Sequence, residues 1–245
     1  MSVQIWRPSP FLLAHGLLIP ASLIVMALLS RVSGWDEGLT ALFFDPAIGD
    51  FPARQSVALE DWGHRWAKSA VLGVWLLLLL AAMAAPWISR LTPHRKLLWL
   101  TVLGMSLGPV VVAVLKDINA HPCPWDLKAY GGALDYTADW FVPRSQAGRC
   151  FPGGHAAGGF SVLALAFAAI SLGWAVQARW LLVLAVLMGL AFSVIRIVQG
   201  AHFLSHNLWS AAIVWALAAW VMAPQMPRNS GVTLSRAWPA SKLQP

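Results

Sequence analysis

The stretch Arg196-Ile-Val-Gln-Gly-Ala-His202-Phe-Leu-Ser-His206 decides how the rest of the chain is read. It places a permanent cation and then two imidazoles, four residues apart, where one apolar segment ends and the next begins. Four residues make about one helical turn, so the two histidines face the same way if Ser205 begins a helix. Ionisable groups beside long apolar segments usually mark functional sites. The stretch therefore predicts a site centred on His202.

The composition identifies the class of protein. Of the 245 residues, 58% are hydrophobic and only 11% are charged. A soluble domain averages about 25% charged residues, so this chain has too few to cover a surface that faces water. The composition therefore predicts an integral membrane protein. The net charge of +7 comes without a basic run or an RNA-binding aromatic motif, so no nucleic-acid partner is expected.

Six apolar runs are long enough, or nearly so, to cross about 30 Å of hydrocarbon. They cover residues 11–30, 67–88, 97–115, 155–176, 180–198 and 208–223. All ten acidic residues lie in two long polar stretches, 31–66 and 116–154. The charged residues of the termini and of the short connections are all Arg or Lys. By the positive-inside rule, both termini are cytoplasmic and both long stretches face outward.

These features predict an all-α, polytopic membrane protein. We expect a six-transmembrane-helix bundle with outward-facing active-site loops and a short interfacial helical segment after the first span. Residues 1–245 are predicted to form a single membrane-embedded domain, with residues 223–245 as a flexible cytoplasmic tail.

Two further segments lie on the outward side with His202. Lys116 ends the third span, because Pro122 and Pro124 stop the helix there; a lysine in this place either snorkels to the interface or binds an anion. The other segment, Gly153-Gly154-His155, opens the fourth span. Its glycines allow close approach of a ligand, and the helix start offers free N–H groups that suit a phosphate. Simple helix packing is the alternative for this segment.

The chain has two cysteines, Cys123 and Cys150, and both lie in the second outward stretch. In an oxidising compartment they would form a disulfide that joins the Lys116 segment to the His155 segment and contributes about 3 kcal/mol. Two free buried thiols are the alternative.

Three segments together resemble the motifs of the type-2 phosphatidic acid phosphatase superfamily of membrane lipid phosphatases. The first motif of that family is Lys, six residues and Arg-Pro, which Lys116 and Pro124 match with Cys123 at the arginine position. The second is Pro-Ser-Gly-His, matched at 152–155 with Gly153 replacing the serine. The third is Ser-Arg, five residues, His, three residues and Asp. Arg196 and His202 match it, whereas Ile195 and His206 replace the serine and the aspartate.

The resemblance implies a metal-independent reaction in two steps, without a cofactor. His202 would attack phosphorus and form a phosphohistidine, and His155 would protonate the leaving oxygen and then activate water. Lys116 and Arg196 would hold the phosphoryl oxygens with the backbone N–H groups of Gly153, Gly154 and His155. His206 would orient His202.

The departures from the motifs lead to two further hypotheses about the outward loops. An acid, Asp117 or Asp126, is expected to back His206, since a neutral imidazole cannot offset the positive charge that develops on His202. Arg144 or Arg149 is expected to bind substrate in place of the arginine missing at Cys123.

The substrate class implied by the resemblance is a phosphorylated envelope lipid of the lipid A, undecaprenyl diphosphate or phosphatidylglycerol phosphate type. The implied location is the bacterial inner membrane, with the active site facing the periplasm and with the lipid bilayer and the lipid substrate as partners.

Two alternatives use the same residues. A zinc-binding membrane protein would draw on imidazole and thiolate ligands, but Lys116 and Arg196 would repel a cation. The candidate ligands are His121, Cys123, Cys150, His155, His202 and His206. A catalytically inactive pseudo-phosphatase would bind a lipid phosphate without chemistry, given the replaced Arg, Ser and Asp.

Overall fold

The computed structural model describes residues 9–227, apart from the side chains of residues 60, 62–64 and 67. Most of the predicted cytoplasmic tail, residues 228–245, lies outside the described residues. Its first part, Ala223–Gln225, forms a short 3₁₀ turn directly after the last long helix.

Helices account for the regular structure of the described residues, and only isolated β-bridges occur beside them. This confirms the prediction of an all-α polytopic membrane protein, and it follows from the sequence because a helix satisfies its own backbone groups in hydrocarbon. The helices are α1 (Ile19–Val32, preceded by a π-helical turn, Leu12–Leu18), α2 (Trp35–Ala41), α3 (Val57–Glu60), α4 (Ala67–Ala84), α5 (Arg95–Lys116), α6 (Gly154–Phe160), α7 (Leu163–Ser171), α8 (Ala175–Val198) and α9 (Leu204–Met222).

Five helical segments are long and apolar enough to cross a membrane: Leu12–Val32, Thr92–Lys116, Gly154–Ser171, Ala175–Val198 and Leu204–Gln225. The second predicted span corresponds to a shorter apolar helix, Lys68–Ala84. The fourth span is interrupted between α6 and α7, where Ser161 and Val162 leave the regular helix.

Helix α9 is central to the bundle. It packs against α1, α5, α6 and α7, while α8 packs against α6 and α7. Small residues allow this close approach, because a Cβ on Gly108 would lie 2.9 Å from the Cα of Val214. A side chain at this position of α5 would therefore push α9 away.

The four helix ends that carry the predicted site face the same end of the bundle. These are the last residues of α5 and α8 and the first residues of α6 and α9. An aromatic cap covers this end, and it comes from both long polar stretches and from the turn before α9. Its buried residues are Phe51, Leu127, Tyr130 and Phe203, with Phe43, Phe44 and Trp125 packed against them.

Candidate active site

Lys116 and His155 line the same cavity. Lys116 is the last residue of α5, and His155 lies in the first turn of α6. A Cβ on Gly154 would lie 3.4 Å from the Lys116 Nζ atom, so the ammonium group lies close to the start of α6. The cavity has a volume of about 560 Å³, which is large enough for part of a lipid.

The rest of this cavity is mostly apolar. Its walls come from α4, α5, α6, the α6–α7 junction and α8. Two of its lining residues, Leu72 and Val110, are 57% and 56% exposed, so the cavity reaches the outer surface of the bundle. The lining residues are Lys68, Val71, Leu72, Trp75, Met105, Ser106, Pro109, Val110, Ala113, Lys116, Gly154, His155, Gly158, Ser161 and Phe192.

A tight turn between α8 and α9 brings Arg196 and His202 together. Gly200 has a φ angle of 72°, a left-handed conformation that favours glycine. The turn folds back so that the backbone N–H groups of Ala201 and His202 donate to the carbonyl oxygen of Arg196, at 2.8 and 3.3 Å. The Arg196 guanidinium lies 5.4 Å from the centroid of the Trp125 ring and donates to Gln199 Oε1 at 2.9 Å.

His202 is buried among positive charges, with 2% of its surface exposed. Burial first, and then the charges of Lys116, His206, Arg196 and His155, hold the pKa of His202 well below its usual range. The imidazole is therefore neutral at neutral pH, which leaves a ring nitrogen with a lone pair for attack. The structure thus brings together the four side chains that the sequence places in the reaction: Lys116, His155, Arg196 and His202.

The structure gives His206 different neighbours from those expected. Helix α9 begins at Leu204, so His206 lies in its first turn and His202 precedes the helix. The two rings are 6.0 Å apart between centroids, and their Nδ1 atoms have no hydrogen-bond partner among the described residues. His206 instead has a hydrogen bond with the backbone of Cys150 and contacts the Phe151 ring. A direct hydrogen bond that orients His202 is not formed in this structure.

Asp117, one of the two acids proposed to back His206, has other partners. Asp117 forms ion pairs with Arg144 and Arg149, at 3.2 and 3.5 Å. The rings near His206 include those of Phe151 and His121, at 5.2 and 6.5 Å between centroids. The two arginine side chains are 73% and 56% exposed, and neither is among the groups whose charge acts on His202, so the structure does not bring Arg144 or Arg149 to the site.

A different acid, Asp36 of α2, contacts the start of α9. Its carboxylate accepts hydrogen bonds from the Ser205 backbone N–H at 2.8 Å, from the Ser205 hydroxyl and from the Ser30 hydroxyl at 2.7 Å. Only 3% of Asp36 is exposed. Sequence reasoning missed this residue, and its one signal was an acid in a stretch rich in apolar aromatic residues.

Gly153 is a packing residue in this structure. Its backbone N–H donates to the His206 carbonyl oxygen at 3.0 Å, so this N–H is not free to bind a phosphate as the resemblance implied. The other predicted donors of this segment, the backbone N–H groups of Gly154 and His155, belong to the first turn of α6, and Lys116 Nζ lies close to Gly154.

Cys123 and Cys150 form a disulfide, with their Cα atoms 5.1 Å apart. It joins the segment after α5 to the segment before α6, and it uses both thiols that the zinc alternative needs. Nearby, burial and the charge of Arg31 lower the pKa of His121 to about 4. Among residues 9–227, no group of three or more His, Cys, Asp or Glu side chains is arranged to hold a metal ion.

The comparison with protein families agrees with this geometry. A family model described as the PAP2 superfamily matches residues 97–229, which is more than half of the chain and includes all three motifs. The chain belongs to the PAP2 superfamily. Searches of curated proteins and of solved structures each found no significant match.

Membership confirms the resemblance seen in the three motifs. Members of the PAP2 superfamily are phosphatases, so the family implies phosphatase activity on phosphorylated substrates for this membrane protein. The positions that the motifs share with this chain are the ones that the fold collects at one end of the bundle.

Proposed function

We propose that this PAP2 protein is a metal-independent phosphatase that hydrolyses a phosphomonoester or pyrophosphate of an envelope lipid. The site is assigned to the periplasmic face of a bacterial inner membrane, in line with the positive-inside distribution of Arg and Lys. One observation carries the proposal: a mostly apolar cavity between the apolar helices has Lys116 and His155 among its lining residues. An apolar tail and a terminal phosphate fit the two parts of such a cavity.

The reaction begins with attack by the neutral His202 imidazole on phosphorus. A phosphorus–nitrogen bond forms while the bond to the leaving oxygen breaks, and His155 donates a proton to that oxygen. Water then attacks phosphorus, His155 accepts a proton from that water, and the phosphorus–nitrogen bond breaks, which releases inorganic phosphate and restores the His202 imidazole. The depressed pKa of His202 supports its role as nucleophile, because protonation would remove the attacking lone pair.

Lys116 and Arg196 neutralise the phosphoryl oxygens. Phosphoryl transfer depends mainly on positioning and on stabilising charge at the equatorial oxygens. Two fixed cations on different helix ends suit this task, because they enclose the phosphoryl group from separate directions. The disulfide and the aromatic cap hold the loops around them.

The test is release of inorganic phosphate from a panel of lipids by the purified protein in lipid nanodiscs, in the presence of EDTA. The panel contains lipid A phosphate, undecaprenyl diphosphate, phosphatidylglycerol phosphate and phosphatidic acid. We expect at least one lipid to be hydrolysed and His202→Ala to lower the rate by at least about 1,000-fold.

His94→Ala is the matched control, because His94 is an exposed histidine before α5, at the opposite end of that helix from Lys116. It should hydrolyse the same lipid at the wild-type rate. Binding of lipid phosphate without release from any lipid of the panel would contradict the proposal and favour a pseudo-phosphatase. Activity that depends on zinc would favour the metal alternative.

A further inference from the structure

Gln199 is a buried polar residue between Arg196 and His202 for which the family resemblance assigns no role. It follows the last residue of α8 and has only 1% of its surface exposed. Its Oε1 atom accepts a hydrogen bond from Arg196 Nη1 at 2.9 Å. The Gln199 side chain is therefore hydrogen-bonded to the guanidinium that, in the proposed function, binds the phosphoryl group.

This hydrogen bond fixes the orientation of the Gln199 amide. A guanidinium only donates, so the group that faces it must be the amide oxygen and not the nitrogen. The Nε2 atom is on the other side of the amide group and consequently does not face the Arg196 nitrogen. It has no hydrogen-bond partner among the described residues. A buried donor without a partner is unfavourable, so an amide kept in this state indicates a ligand that accepts from it.

The turn around Gln199 indicates what that ligand is. The backbone N–H of His202 donates to the Arg196 carbonyl oxygen, so Gln199 belongs to a closed turn that begins at Arg196 and ends at His202. The charge of Arg196 acts on His202 across this same turn. An acceptor shared by the guanidinium and the adjacent amide would be an oxygen of a phosphoryl group.

We infer that Gln199 is a substrate-binding residue whose Nε2 donates a hydrogen bond to an oxygen of the phosphoryl group bound by Arg196. This inference rests on the proposed function. It also accounts for the replaced arginine of the first motif: Cys123 is held in a disulfide and offers no donor, and the Gln199 amide supplies one from the third motif instead. An amide adds a donor without adding a further positive charge beside His202.

A double-mutant cycle separates direct binding from an effect through Arg196. The variants are Gln199→Met, Arg196→Ala and the double variant, and the probe is orthovanadate, a phosphate analogue. Its affinity is measured as protection against thermal unfolding, which does not require an active enzyme. We expect Gln199→Met to weaken orthovanadate binding by about tenfold or more in both backgrounds, since a hydrogen bond to a charged group is lost.

Two results would overturn the inference. One is a Gln199→Met effect that disappears in the Arg196→Ala background, because Gln199 would then act only by holding the guanidinium. The other is unchanged orthovanadate affinity in Gln199→Met itself. Gln146→Met, a change to an exposed glutamine of the outward loop, is the matched control and should bind orthovanadate as the wild type does.

A second variant covers the case in which Gln199→Met does not fold. Gln199→Glu keeps an oxygen for Arg196 but has no N–H donor, so it should unfold at the wild-type temperature or above while binding orthovanadate at least tenfold more weakly. Wild-type affinity in Gln199→Glu would overturn the inference. If the wild-type protein neither hydrolyses a lipid nor is stabilised by orthovanadate, the proposed function fails, and the inference fails with it. If the wild type hydrolyses a lipid but Gln199→Met has no effect of its own on orthovanadate affinity, the inference fails and the proposed function stands.

Discussion

Gly153 occupies the serine position of the second PAP2 motif, and its neighbour Asn207 explains the replacement. A Cβ on Gly153 would overlap Asn207 Oδ1, and it would lie 3.3 Å from Asn207 Cγ. Asn207 is itself buried, with 3% of its surface exposed, and its Nδ2 donates to the Phe203 carbonyl oxygen at 3.2 Å. The two residues share one space, so a larger side chain at either position requires a smaller one at the other.

Restoring the serine of the motif should therefore destabilise this protein. We expect Gly153→Ser to lower the free energy of unfolding by about 1–3 kcal/mol, because it overpacks the space that Asn207 fills. Thermal unfolding in detergent, followed by tryptophan fluorescence, measures the loss. Combining Gly153→Ser with Asn207→Ala should recover most of it. If Gly153→Ser lowers the free energy of unfolding equally in the wild-type and the Asn207→Ala backgrounds, the two residues do not share the space.

Residue roles differ in how far the sequence predicts them. The proximity of Lys116, His155, Arg196 and His202 was predictable, because motif spacing places each of them at a helix end. Asp36 was not, since its partner Ser205 lies 169 positions away and neither residue belongs to a spacing pattern. The neighbours of Arg144 and Arg149 were also unpredictable, because Asp117 attracts both in an exposed loop whose fold no periodicity describes.

Among the elements, α9 depends on a cap supplied by another part of the chain. The residue before the helix, Phe203, has no side-chain hydrogen bond that caps it. Asp36 of α2 takes that role by accepting from the backbone N–H and the hydroxyl of Ser205. A carboxylate at a helix start is favourable for the helix dipole, and this contact also fixes the position of the turn that carries His202.

Removal of the Asp36 carboxylate should loosen the start of α9. We expect Asp36→Ala to lower the free energy of unfolding by about 1–3 kcal/mol, because the N–H of Ser205 and two hydroxyls lose a buried acceptor. Thermal unfolding in detergent tests this directly. Glu37→Gln is the control, since Glu37 is the adjacent acid of α2 with an exposed side chain. Equal unfolding temperatures for Asp36→Ala and the wild type would contradict the role of the cap.

The boundaries of the elements were predictable to different degrees. Long apolar runs identified the membrane helices, because hydrocarbon requires about 20 apolar residues for each span. The apolar run assigned to the last span began at residue 208, whereas α9 starts at Leu204, since its first turn is buried in protein and tolerates polar residues. Hydropathy also gave no sign of the interruption between α6 and α7, because the flanking residues are apolar on both sides.

At the scale of the whole molecule, the site is covered at the end of the bundle and reached through its side. The aromatic cap of Phe51, Leu127, Tyr130 and Phe203 contacts the turn that carries His202, because the Phe51 ring packs directly on Gly200. The cavity below Lys116 and His155 has exposed apolar residues in its wall. This arrangement suits a substrate that arrives from the bilayer with its tail between the helices.

A side chain placed in the cavity should discriminate between long and short substrates. Gly158 lines the cavity, and a Cβ there would meet nothing within 4 Å. We expect Gly158→Leu to raise KM for a long-chain lipid phosphate by about tenfold, because it occupies the space of the tail. KM for a short-chain, water-soluble phosphate should change little in the same assay.

Gly73 provides the matched control for this substitution. It is a helical glycine of α4 whose Cβ would also meet nothing within 4 Å, but it does not line the cavity. Gly73→Leu should keep the wild-type KM for both substrates. If Gly158→Leu impairs the two substrates equally, the cavity does not hold the lipid tail.

The most direct test of the central claim is to trap the phosphorylated enzyme. The protein is mixed for a short time with a lipid carrying a labelled terminal phosphate, quenched in base and digested, and the labelled peptide is identified by mass spectrometry. The account predicts an acid-labile phosphate on His202 that is absent from His202→Ala. Absence of label from His202 in the wild type, together with hydrolysis of the same lipid at an unchanged rate by His202→Ala, would contradict it.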